Sequence, residues 1–206
     1  MVIVSNEKTK KLEEEIQAQK ITNLVSPKMK NWLDLLPNEV LAHLSSFLMK
    51  SELLICMGGY DGESTVKVAE YLHETEWKSL PDMLTSRYRF NAVGIENIIY
   101  VLGGSERGAN PIATMERFDF QSANWVPEEE INTARRCCVA AAVQVDDAQT
   151  ILVSGGFNSE YEDLQTAELF NTRQGNWTMI ANMRGKRYAH CSVTLADEVF
   201  VLGVFN

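Results

Sequence analysis

Residues 98–104 read Ile-Ile-Tyr-Val-Leu-Gly-Gly, and an apolar run closed by paired glycines stands at two other places in the chain. The run Leu-Leu-Ile-Cys-Met from Leu53 ends at Gly58-Gly59, and Ile-Leu-Val-Ser from Ile151 ends at Gly155-Gly156. A fourth run, Val-Phe-Val-Leu from Val199, reaches Gly203 but carries Val204 in the second glycine's place. One glycine pair marks a turn in any fold. Companions at fixed spacing make a repeat. Trp77, Trp125 and Trp177 follow the first glycine of each pair by 19, 22 and 22 residues, and Tyr71, Phe118 or Phe170 precedes each Trp by six or seven. Ten residues after each Trp comes an arginine, Arg87, Arg135 and Arg187.

The repeating unit is 45 to 52 residues long. The phrases Ile-Ile-Tyr-Val-Leu-Gly-Gly (98–104), Ala-Thr-Met-Glu-Arg-Phe-Asp-Phe-Gln-Ser-Ala-Asn-Trp (113–125) and Thr-Ala-Arg-Arg-Cys-Cys-Val-Ala-Ala-Ala-Val (133–143) resemble successive parts of a kelch blade. The resemblance covers residues 53–206 and implies a mainly β fold, a partial kelch β-propeller. It departs from the family pattern at Glu128-Glu129-Glu130, which replaces the usual Pro-Met, and at the broken last glycine pair.

Each recurring residue has a physical role. The apolar runs suit strands buried on both faces between neighbouring blades. The paired glycines Gly58, Gly59, Gly103, Gly104, Gly155 and Gly156 let the chain leave those strands through conformations that a Cβ forbids. Trp77, Trp125 and Trp177 are expected to cover an adjacent blade, each indole N–H meeting a backbone carbonyl. Arg87, Arg135 and Arg187 are expected to hold loop carbonyls or a neighbouring acid.

With strands lettered outwards from a to d, the pattern predicts b, c and d of a first blade, two complete blades over 87–127 and 135–180, and two strands of a last one. That makes thirteen strands, in two complete blades and two partial ones. Propellers close with four to eight blades, so the pattern predicts an open arc with unpaired edges. A truncated or mis-spliced product, closure by self-association and a tolerated open arc would each give that pattern.

Residues 1–30 form a charged leader, flexible or helical. Residues 31–52 form an amphipathic helix with Pro37 in its first turn and Val40, Leu41, Leu44, Phe47 and Leu48 at helical spacing. The phrase resembles the first half of an F-box, the module that docks on the adaptor subunit of a cullin-RING ubiquitin ligase. That resemblance implies a docking stripe of Leu36, Pro37, Val40, Leu41, Leu44, Phe47 and Leu48. Two other readings stand: an ordinary helix covering the first blade's open flank, and the tail of a different N-terminal domain.

The 206 residues carry a net charge of −9, which repels phosphate backbones and anionic membrane surfaces. Neither a nucleic acid nor a membrane is therefore an expected partner. No apolar run reaches signal-peptide or transmembrane length. The four cysteines form no C-x-x-C pair and suit a reducing compartment, so the expectation is a cytoplasmic chain, with the nucleus as alternative.

Three scattered histidines and no recognisable triad give no catalytic residues, no cofactor and no metal site, so the chain reads as a non-enzyme. His190 near Tyr188 is the one candidate for copper ligation, and strand packing is its bland alternative. Cys137-Cys138 beside Arg135 and Arg136 could be a redox pair if exposed and of lowered pKa. As ordinary strand residues, they would face opposite sides instead.

Family resemblance places a partner on the rim where the b–c and d–a loops converge. Those positions are Tyr60, Asp61, Tyr88, Arg89, Ser105, Arg107, Arg136, Phe157, Asn158 and Tyr188. Aromatics with arginines suit an interaction hot spot and an acidic or phosphorylated peptide. The expected function is protein binding, as substrate recognition for a cullin-RING ligase in the ubiquitin-conjugation pathway, or as a kelch scaffold without ligase activity.

Overall fold

The computed structural model describes residues 2–5, 52–73, 75–108, 110–160, 162–195 and 198–203. Among these residues, fourteen antiparallel strands fall into four sheets. The first holds β1 (Val2–Ser5), β2 (Glu52–Tyr60), β3 (Thr65–His73) and β4 (Glu76–Leu80) in chain order. The second holds β5 (Asn91–Ile95), β6 (Ile98–Leu102), β7 (Met115–Asp119) and β8 (Asn124–Glu128). The third holds β9 (Val139–Val145), β10 (Ala148–Ser154), β11 (Ala167–Asn171) and β12 (Asn176–Ile180), and the fourth only β13 (Cys191–Leu195) and β14 (Glu198–Leu202). The first strands of successive sheets lie side by side, β1 against β5, β5 against β9 and β9 against β13. These are blades fanned about a common axis with β1, β5, β9 and β13 innermost, a partial propeller.

Blade count corrects the sequence reading. Val2–Ser5, read there as part of a flexible or helical leader, pairs antiparallel with β2, Val2 opposite Ile55 and Ser5 opposite Glu52. The first blade is therefore four-stranded, and the described residues form three complete blades and one partial one. Of the helix expected over 31–52, residues 31–51 lie outside the described residues, and Glu52 opens β2 instead. The docking stripe Leu36, Pro37, Val40, Leu41, Leu44, Phe47 and Leu48 lies outside them too. Among the described residues there is no helix, and none long and apolar enough to cross a membrane.

Cores form between blades. Ile55, Ala69, Tyr71 and Leu80 of the first blade pack against Ile99, Val101, Phe118 and Trp125 of the second. Val93, Ile95, Tyr100 and Leu102 on the second blade's other face pack against Ile151, Val153 and Phe170 of the third. Phe118 sits directly opposite Trp125, and Phe170 opposite Trp177. In the first blade the partner of Trp77 is Leu72, not Tyr71. The one-residue difference in spacing puts Tyr71 on the opposite face of its strand, where it is fully buried towards the second blade.

The repeat arginines hold their own blades together. Fully buried Arg87 donates to the carbonyls of Gly103 (2.9 Å) and Thr114 (3.0 Å), to Thr114 Oγ1 (3.2 Å) and to Glu116 (2.7 Å). Arg135 repeats the set with Gly155, Thr166 and Glu168. Burial pulls the Arg87 pKa down, and the Glu116 carboxylate opposes that pull. The other oxygen of each acid clasps the loop that carries the arginine: Glu116 accepts from Leu84 N–H, and Glu168 from Asn132 N–H. Two of the repeat indoles reach back to the preceding blade, Trp125 to Pro81 O and Trp177 to Glu129 O. Trp77 is 45% exposed.

Candidate binding rim

The loops after each second strand and after each fourth strand meet at one end of the blades. Backbone bridges join them: Tyr88 exchanges two hydrogen bonds with Ser105, and Arg136 two with Phe157. The glycines make this approach close. A Cβ on Gly103 would lie 2.6 Å from the carbonyl oxygen of Arg135, and one on Gly155 would lie 2.4 Å from that of Arg187. Both glycines have φ near +61°, so any side chain there meets steric and conformational penalties together.

Two residues beyond each repeat arginine the backbone turns left-handed without glycine, at Arg89 (φ 55°), Cys137 (φ 51°) and Ala189 (φ 46°). These residues are linked in series. Cys137 N–H donates to Arg89 O, and Ala189 N–H donates to Cys137 O, both at 2.9 Å.

On this frame the side chains gather in two aromatic groups. Tyr60, Tyr88, Arg89 and Arg107 line a cleft of about 420 Å³ together with Glu63, Thr65 and Gly108. The Tyr60 and Tyr88 rings are 5.9 Å apart, and the Arg89 guanidinium sits 5.2 Å from the Tyr88 ring centre. In the second group Phe157 lies 4.2 Å from Tyr188, with the Arg136 guanidinium 5.7 Å from the Phe157 ring. Glu63, Thr65 and Gly108 lie off the repeat pattern, and nothing in the spacing singles them out.

Four expected rim residues have other duties. Ser105 is fully buried and Arg136 is 7% exposed, so neither offers surface to a partner. Asp61 Oδ1 accepts from the backbone N–H groups of Glu63 and Ser64, which pulls the carboxyl below its ordinary pKa and shapes the loop after β2. Asn158 Oδ1 accepts from Glu160 and Glu162 N–H in the corresponding loop of the third blade.

Cys138 is buried, and that burial pushes its thiol up to about 11 against the smaller opposing pull of Arg135. It is held as a thiol, the opposite of what a redox sensor needs. Cys137 precedes β9 in the left-handed turn, so the two do not alternate as strand neighbours. His190 is buried with Nε2 3.4 Å from Ser154 Oγ, while Tyr188 stacks on Phe157. Among the described residues no three His, Cys, Asp or Glu side chains gather where they could hold a metal.

Residues 86–130 and 134–184 match the family model described as Kelch motif. F-box/kelch-repeat protein SKIP30 of Arabidopsis thaliana is 27% identical over 192 residues, 84% of this chain and 52% of the relative. Kelch repeat-containing protein kel-10 of Caenorhabditis elegans is 28% identical over 75% of this chain and 28% of its own length. Kelch-like protein 38 of Mus musculus is 21% identical over 89% of this chain and 32% of its own. The chain thus spans about half or less of the length of these relatives.

Proposed function

We propose that this chain, whose residues 86–130 and 134–184 match the Kelch motif, binds another polypeptide on the rim between its first and second blades. The observation that carries this reading is the cleft of about 420 Å³ in which Tyr60, Tyr88, Arg89 and Arg107 converge. Two rigid aromatics supply contact area at low entropic cost, and two exposed guanidiniums supply forks for carboxylate or phosphate. Glu63 at the same cleft gives a basic group on the ligand a counterpart. An extended peptide with an acidic or phosphorylated side chain beside an aromatic fits this lining.

The same proposal assigns the chain to substrate recognition for a cullin-RING ubiquitin ligase. What supports this is the F-box-like phrase at residues 35–48, with F-box and BTB modules named in similar proteins. A peptide library displayed on phage tests the rim. Peptides selected on the whole chain should lose at least tenfold in affinity on Arg89→Glu or Arg107→Glu, with the melting temperature kept within about 2 °C. Binding indifferent to both changes overturns the rim assignment. For the ligase arm, purified cullin adaptor should be captured by the chain and lost on Leu41→Asp with Leu44→Asp. Capture that survives both changes removes that arm and leaves a kelch scaffold.

A further inference from the structure

The chain has six tyrosines, of which Tyr161 lies outside the described residues. The other five differ sharply in access. Tyr71 and Tyr100 are 0% and 5% exposed, Tyr88 is half-buried and Tyr188 is 36% exposed. Tyr60, at 58%, is the most open of them.

The backbone around Tyr60 is lightly held. Tyr60 ends β2 opposite Thr65, and residues 61–64 turn the chain between the two. β1 pairs with β2 only as far as Ile55. Among the described residues, the stretch from Cys56 to Tyr60 therefore has β3 as its one strand neighbour, together with the bond from Gly59 N–H to the Arg87 carbonyl. The ladder to β3 is itself interrupted by a register shift between Met57 and Gly59. A strand end paired on one side and next to a bulge opens locally at low cost. An enzyme that modifies the side chain needs that access.

What sets Tyr60 apart is its company. Its ring stands 5.9 Å from that of Tyr88, at the cleft where Arg89 and Arg107 converge. Both arginines are exposed, and neither forms a salt bridge among the described residues. Two guanidiniums against the Glu63 carboxylate leave the cleft with one net positive charge. A phosphate on tyrosine carries about −1.5 to −2 at pH 7 and three strong acceptor oxygens. That is enough to reverse the sign of the cleft and to occupy both forks.

We propose that Tyr60 is a phosphorylation site whose phosphate seats on Arg89 and Arg107 and shuts the rim cleft to acidic peptides. The closure rests on the peptide-binding reading of that cleft. A tyrosine kinase supplies the group from magnesium-bound ATP. The bond from the γ-phosphorus to the bridging oxygen of ADP breaks, a bond from that phosphorus to Tyr60 Oη forms, and the phenolic proton passes through the kinase to solvent. Unmodified, the two forks are open to a partner's carboxylate or phosphate. Modified, they are filled from within the chain.

Two measurements on the intact chain test this. In the first, the chain is incubated with ATP and a panel of purified tyrosine kinases, and the modified position is mapped by mass spectrometry. The phosphate should appear on Tyr60 ahead of every other tyrosine. No phosphate there, or preference for another tyrosine by every kinase, overturns the site. In the second, phosphotyrosine is encoded genetically at position 60 and followed by phosphorus-31 NMR. Its second pKa should lie lower, by about 0.5 or more, than in the same chain with Arg89→Ala and Arg107→Ala. Both arginines are on the surface, so that variant keeps the fold. Peptides selected on the unmodified chain should bind the phosphorylated one at least about tenfold more weakly. A phosphate that titrates alike with and without the arginines, or a peptide affinity unmoved by the phosphate, overturns the proposal. Peptides indifferent to Arg89→Glu and Arg107→Glu remove the rim reading and the closure together, and the phosphate titration tells that failure from failure of the seat alone.

Discussion

Glu168 shows how much of a blade hangs on one carboxylate. It is fully buried and accepts from Arg135, from the N–H groups of Asn132 and Thr133, and from the Asn132 side chain. A buried ion pair of this kind adds little net stability over apolar packing, yet removing one member strands the other. Glu168→Ala leaves the Arg135 guanidinium buried without its counter-charge. The expected cost is about 3–5 kcal/mol in urea unfolding, and a loss under about 1 kcal/mol would mean that water or a shifted loop replaces the carboxylate. His190 gives the chain a pH dependence. Burial, with the nearby Arg187 as the smaller cause, holds its imidazole down at about 4. Between about 6.5, the ordinary value, and that folded value, the unfolded chain takes up a proton that the folded chain refuses. Stability is therefore present in full above the upper value and is lost as pH falls through the window. Melting temperature should drop from pH 7 to pH 4.5 more steeply in the parent than in His190→Gln, and equal slopes would remove His190 as the cause.

At the scale of elements, the left-handed turns after the repeat arginines are where the reading of the sequence ran short. Glycine announces such a conformation, and Gly103 and Gly155 were legible for that reason. Arg89, Cys137 and Ala189 adopt it with a Cβ present, held by the hydrogen bonds that link one turn to the next. Each costs about 1 kcal/mol relative to glycine in the folded chain, partly offset by the extra freedom glycine has when unfolded. Ala189 is exposed, so its methyl packs little. Ala189→Gly should raise the melting temperature by about 1–3 °C, and a fall would show that the turn carries no strain. Strand register was legible where spacing was constant. It slipped in the first blade, where Trp77 sits one residue nearer to Tyr71, and a period of two turns that single residue into the opposite face.

For the whole molecule, the order of blades, their number of repeats and the convergence of two loop sets could be read from glycines, tryptophans and arginines alone. The innermost strand of the first blade could not. Val2–Ser5 is four residues long and far from β2 in sequence, too short a run to carry a period. The rim was legible as positions but not as exposures: Ser105 and Arg136 occupy the expected places, and the bridges that create the rim bury them. One consequence follows from the series of hydrogen bonds through Arg89, Cys137 and Ala189. Every N–H in it points back towards the preceding blade, so the arc has a heading, with unlike groups at its two ends. Two such arcs cannot continue each other by joining like ends across a two-fold axis, because carbonyl would face carbonyl or N–H face N–H. Any extension of this series proceeds head to tail, each added unit keeping the same heading around the axis.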